Sequence, residues 1–227
     1  MSVRRPRAYH VVREPTLVRE VLFRVEEFSP ANALTAVTPL SPAALRVLGN
    51  ARFALPPVLA SAVGEQHART RAVVARQLRP RRVQAMAPRV AAVTEQRCRE
   101  ASVALRSGPV DLAREVTRHI PAAIMGELFN ITPPPIDQLQ RWSRESLELF
   151  WGWPDAIRQC ELAASAAEFF AWLQEQVARP RRDSLFEALR EAGIGRPQIC
   201  SLGYFLGDRG SGNHCRADQC HAAPSPA

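Results

Sequence analysis

His67-Ala-Arg-Thr-Arg71, followed by Leu78-Arg79-Pro80 and Val83, is the stretch on which the reading of this chain turns. The pattern from Glu65 to Leu78 is helical, and Pro80 separates it from a second helical run over Arg82 to Leu105, where Val83, Met86, Val90 and Val93 recur at spacings of three and four. On the first helix His67 and Arg71 are four residues apart, so they share one face and can point together into a pocket. Arg71 offers a rigid fork of donors suited to a carboxylate, and His67 adds a donor that a nearby anion would favour in its protonated form. On those residues alone, a solvated face and an anion-binding face both remain open.

The pattern stays helical in both directions. Thr16 to Leu22 reads as a first helix after Pro15, and Ser41-Pro-Ala-Ala-Leu45 as a helical turn with a serine cap and proline at the first position. Further helices are expected over 113–129, 136–150, 155–177, 184–192 and 197–206, punctuated by the triple proline at 133–135 and by Gly152-Trp-Pro154. No internal repeat appears. The expected architecture is mainly α.

Composition narrows the function classes. Of 227 residues, 46% are apolar, enough for a real core. No run reaches the roughly 18 apolar residues of a spanning helix, which predicts a soluble, cytoplasmic protein without a membrane partner. The net charge is +8, yet all 30 basic residues are arginine, as a G+C-rich coding sequence would write, and no nucleic-acid-binding motif accompanies them. Nucleic acid is therefore not an expected partner. Five cysteines in a chain of this length form no disulfide framework, and Cys98, Cys160 and Cys200 are expected to be small buried side chains. His214, Cys215, Cys220 and His221 match no usual zinc spacing, so no metal site is expected.

From Val12 to Leu206 the helix order and several phrases resemble the first half of a bacterial cytochrome P-450. The opening Pro15, Leu17-Val-Arg-Glu-Val-Leu22 and Glu27-Phe28-Ser29 is similar to the family's proline-led helix and Glu-x-Phe-Ser stretch, and His67-Ala-Arg-Thr-Arg71 with Pro80 and Val83 to its His-x-x-x-Arg helix and continuation. Trp142-Ser143 and Asp183-Ser-Leu-Phe-Glu-Ala-Leu189 resemble family positions whose expected role is packing. The resemblance implies a haem-dependent monooxygenase using haem b, O2, a ferredoxin-type redox partner and a small lipophilic substrate. It assigns His67 and Arg71 to the haem propionates. It also places Phe150-Trp151-Gly152-Trp153 at the lid turn, which makes Phe150, Trp151 and Trp153 candidates for substrate contact, with a buried hydrophobic connection as the alternative. Arg76, Arg79, Arg81 and Arg82 are available to steer an acidic ferredoxin, or simply to face water.

Two domains of meaning follow: residues 1–206 as a partial cytochrome P-450 domain truncated in its central helix, and 207–227 as an out-of-frame, disordered tail. The tail is polar and glycine-rich. Read one nucleotide later, with G or C at most wobble positions, the codons of Asp208 to Cys215 give Ile-Ala-Gly-Ala-Gly-Thr-Thr, the phrase the family carries at this point. No Phe-x-x-Gly-x-x-x-Cys-x-Gly phrase occurs in the 227 residues, so no catalytic residue is assigned and this chain is expected to be inactive. The non-enzymatic alternative is a helical module that binds a partner through its arginine-rich face.

Overall fold

The computed structural model describes residues 10–210, and among them there is no strand. Ten α-helices follow one another: α1 (Pro15–Phe23), α2 (Pro42–Asn50), α3 (Gly64–Gln77), α4 (Pro80–Ala85), α5 (Ala87–Ala104), α6 (His119–Phe129), α7 (Ile136–Trp151), α8 (Ala156–Ala178), α9 (Leu185–Glu191) and α10 (Arg196–Gly210). The expected mainly-α architecture is present. Among these helices none is long and apolar enough to cross a membrane.

Local chemistry sets several of the ends. Pro15, Pro42, Pro80 and Pro88 sit in first turns, where a missing N–H costs nothing. Ser41, Asp155 and Ser184 cap α2, α8 and α9 by accepting backbone N–H groups of the first turn. Asn130 ends α6 in the left-handed conformation, φ 51°, and its amide donates to the Arg182 carbonyl at 2.8 Å, joining the α6 terminus to the loop before α9. The run expected as one helix from Arg82 is broken at Met86, because Pro88 at the second position of α5 cannot donate back into α4. Likewise the helix expected from Ala113 opens with a π-helical segment, Ala113–Thr117, before α6 proper. α10 runs to Gly210, past the Leu206 boundary drawn from composition; residues 211–227 of the expected tail lie outside the described residues.

α2, α7, α8 and α10 make the core, with α8 packed against the other three. Phe169, Phe170, Leu162, Leu173, Leu149, Leu185, Leu189 and Ile199 are fully buried there. Trp142 stacks on Phe169 with centroids 5.1 Å apart, and Phe169 meets Tyr204 at 4.7 Å. Trp142 and Ser143, expected to pack, are buried, as are Leu185, Phe186 and Leu189. α10 reaches α8 closely because two of its residues lack side chains: a Cβ at Gly203 would lie 2.8 Å from Leu173 Cδ2, and one at Gly207 2.7 Å from Phe169 Cζ.

The outer helices are less covered. α1 has no buried residue and the 18-residue α5 has only Ala101. Val83 is exposed, and Met86, Val90 and Val93 are only half-buried, so the apolar stripe read from the sequence is an unfinished face. The cysteine expectation is corrected too: Cys200 is buried, but Cys160 is half-buried and Cys98 exposed on α5, because the helix carrying it is covered on one side only.

Gly203→Val should therefore drive branched carbon into Leu173 and Phe186, at a cost of about 1–3 kcal/mol by overpacking. A lowered urea midpoint with unchanged slope checks this.

Candidate functional site

α3 docks through Thr70, Val73 and Val74, which are buried, and its neighbour is α9. At about 100° per residue, His67 and Arg71 lie about 40° apart on one flank of that buried arc. Arg69 and Arg76 fall on the opposite flank; Arg69 pairs with Glu65 at 3.4 Å, and Arg76 borders a shallow groove with Glu191 of α9. The structure thus brings His67 and Arg71 together and separates them from the other cations of the helix. His67 is half-buried and Arg71 exposed. Among the described residues, neither side chain has a hydrogen-bonding or ion-pairing partner. A half-buried imidazole and a guanidinium on one flank are donors suited to an anionic oxygen group.

The second histidine on a packed helix is different. His119, at the start of α6, is partly buried beside Arg97 and Arg118, and burial first, then those two cations, hold its imidazole below the usual range. Arg118 also pairs with Asp137 at 2.9 Å.

The lid candidates separate by burial. Phe150 belongs to the core, stacked on Phe53 at 5.9 Å, and its carbonyl accepts the N–H groups of Val37 and Thr38 at 2.9 and 3.0 Å. Trp151 is half-buried and packs edge-on against Phe150. Trp153 is 65% exposed with φ 55°, its N–H donating to Thr38 Oγ1. Of the three, only Trp153 presents its ring to a molecule outside the core.

Sequence reading missed the residue that fixes this turn. Gln159, buried on α8, accepts the Ser41 N–H at 2.7 Å and donates to the carbonyls of Pro39 and Pro154 at 3.3 and 3.0 Å. One side chain so ties the 37–41 segment to the α7–α8 turn. Arg158 closes the same corner with two bonds to Glu148, at 2.9 and 3.0 Å, and one to Glu161. No local signal marks Gln159, because two of its three partners, Pro39 and Ser41, lie more than a hundred positions away.

Among the described cysteines, Cys200 is the buried one, and burial pushes its thiol up to about 11. A thiol so far from ionisation is the wrong state for an iron ligand or a nucleophile. Among the described residues no group of His, Cys, Asp and Glu side chains is placed to hold a metal ion. Of Arg76, Arg79, Arg81 and Arg82, Arg82 is engaged, by Gln77 and by the Leu128 carbonyl at 3.1 Å.

No family model matches this chain, and no curated protein does either. Solved structures do match in fold. Cytochrome P450 CREJ in complex with (4-ethylphenyl) dihydrogen phosphate superimposes with a TM-score of 0.75 at 22% identity, over 86% of this chain and 50% of that one. Full-length CYP116B46 from Tepidiphilus thermophilus gives 0.72 at 14% identity, over 81% of this chain and 25% of that one. The CYP116B5 heme domain from Acinetobacter radioresistens gives 0.66 at 18% identity, over 81% and 46%. The chain therefore has a partial cytochrome P450 fold and spans half or less of the structures it resembles.

With a thiol reagent at pH 8, peptide mapping of the three described cysteines should find Cys98 modified before Cys160, and Cys200 only after denaturant is added.

Proposed function

We propose that this chain is the N-terminal half of a haem-thiolate monooxygenase, in which His67 and Arg71 hold the haem propionates. The observation that carries the reading is the unpaired imidazole and guanidinium on one flank of α3, inside a fold that resembles half of a cytochrome P450. Where haem b is bound, it would supply the oxygen activation, and His67 and Arg71 would only hold it in place. Arg71 would donate to one carboxylate and His67 to the second. Neither residue is reactive; both are positioning residues for the cofactor.

Trp153, outermost at the α7–α8 turn, is the lid residue available to a small lipophilic substrate, while Phe150 and Gln159 hold the turn beneath it. Arg76, Arg79 and Arg81 offer a basic surface to an acidic ferredoxin-type partner. The axial thiolate is not among the 227 residues in any Phe-x-x-Gly-x-x-x-Cys-x-Gly phrase. We further infer that the codons from Asp208 onward carry the continuation of the central helix in a shifted frame, as Ile-Ala-Gly-Ala-Gly-Thr-Thr.

Resequencing the coding DNA from codon 200 and translating all three frames tests the second point. A shifted frame running through that phrase to a cysteine-ligand phrase is expected; its absence removes the frameshift and leaves an arginine-rich helical module whose function is binding. As it stands, the 227-residue chain, reduced under carbon monoxide, should give no thiolate-type absorption band. In the chain completed through the shifted frame, Arg71→Ala should weaken haem affinity about tenfold, or 1.4 kcal/mol, and His67→Ala by less. Haem binding untouched by both substitutions would remove the propionate assignment while leaving the fold in place.

A further inference from the structure

A cleft opens between α6, the triple-proline turn, α8, α9 and α10. Met125 and Phe129 of α6, Phe169 and Trp172 of α8, Phe186 of α9 and Leu206 of α10 line it, with Pro133 and Pro134 at one edge. No charged side chain and no side-chain hydrogen-bonding group except the indole of Trp172 contributes to the wall. Trp142, Phe169 and Trp172 form a stacked series beside it, with successive centroids 5.1 and 6.1 Å apart. At Gly203 and Gly207 the backbone already meets Leu173 and Phe169, so the interior is closed on the α10 side and narrow rather than globular. The cleft is also distinct from the lid turn: Leu139, in the first turn of α7, touches it, whereas Phe150 lies in the last turn eleven residues later, about 16 Å along the axis at 1.5 Å per residue.

We infer that this cleft is a binding site for a small, uncharged, single-ring molecule, held by aromatic contact and apolar burial. The lining selects the class. A charge entering it would be desolvated without a partner, which costs several kcal/mol, and a hydroxyl or amide would find almost nothing to bond. An apolar ring loses nothing on entry and gains offset contacts with Phe169 and Trp172. Enclosed apolar cavities in folded proteins take up benzene-like molecules; this one is a partly open cleft of about 70 Å³, which limits the occupant to a single small ring. The inference rests on described residues alone and does not depend on haem binding.

The purified 227-residue chain is titrated with fluorobenzene and followed by fluorine NMR, with 4-fluorobenzoate as the charged counterpart. One saturable site per chain is expected, with 4-fluorobenzoate at least tenfold weaker. Met125→Trp and Leu206→Trp, which fill the cleft from two sides, should each lower affinity at least tenfold, whereas Val103→Trp on exposed α5 should leave it unchanged. Circular dichroism identifies any variant that fails to fold, and contacts between ligand protons and the Trp172 ring locate the site in the unaltered chain if both do. Uptake that rises linearly without saturating, equal binding of the benzoate, folded filling variants that bind as before, or ligand contacts away from Trp172 would each overturn the assignment.

Discussion

The close approach of α10 to α8 is the contact on which the rest of the structure depends. Two glycines spaced by four, Gly203 and Gly207, put backbone against Leu173 and Phe169 where any side chain would hold the helices apart. That distance lets Tyr204 lie against Phe169 and Phe53 and hydrogen-bond Ser146 of α7, and lets Ser201 donate to the Pro56 carbonyl at 2.8 Å. One helix thereby meets α6, α7, α8 and α9 and the segment before α3. Glycine is poor for a helix in isolation, by roughly 1 kcal/mol against alanine. Here the loss is offset by a core that would otherwise not close.

Much of the fold was legible because its signals are local. Proline after a break, serine or aspartate before an apolar run and a period of 3.6 predict α1, α3, α7, α8, α9 and α10 to within a few residues, and the Ser41 cap is formed as expected. What was not legible depends on partners distant in sequence. The π-helical turn at Ala113–Thr117 lies within a continuous helical pattern, and its packing against α5 is not written in its own residues. Cys98 was misplaced for a related reason. Its helix has an apolar face in the sequence, but too little of the molecule lies against α5 to bury it.

That uncovered face agrees with the length of the match. A stripe of Val83, Met86, Val90 and Val93 at helical spacing reads as a core face, yet Val83 is exposed and the other three are half-buried, in a fold that spans half of CREJ. The candidate site shows the same division. The spacing of His67 and Arg71 fixes a shared face from sequence, yet the face only becomes distinctive once Thr70, Val73 and Val74 are seen to be buried, because that sets Arg69 and Arg76 on the other flank. Phe150 and Trp153 likewise look equivalent in sequence, and only the hydrogen bonds of Thr38 and Gln159 make one of them core and the other surface.

The α10 contact and the α3 site are joined through α9. Helix α3 has its main neighbour in α9, and α9 is in turn seated on α8 and α10 by Leu185, Phe186 and Leu189. Phe186 is also the ring that a Cβ at Gly203 would approach at 3.2 Å. A shift of α10 away from α8 would therefore move α9, and with it the helix that carries His67 and Arg71. The glycine pair thus sets both the closure of the core and the placement of His67 and Arg71, even though neither glycine lies near them in sequence.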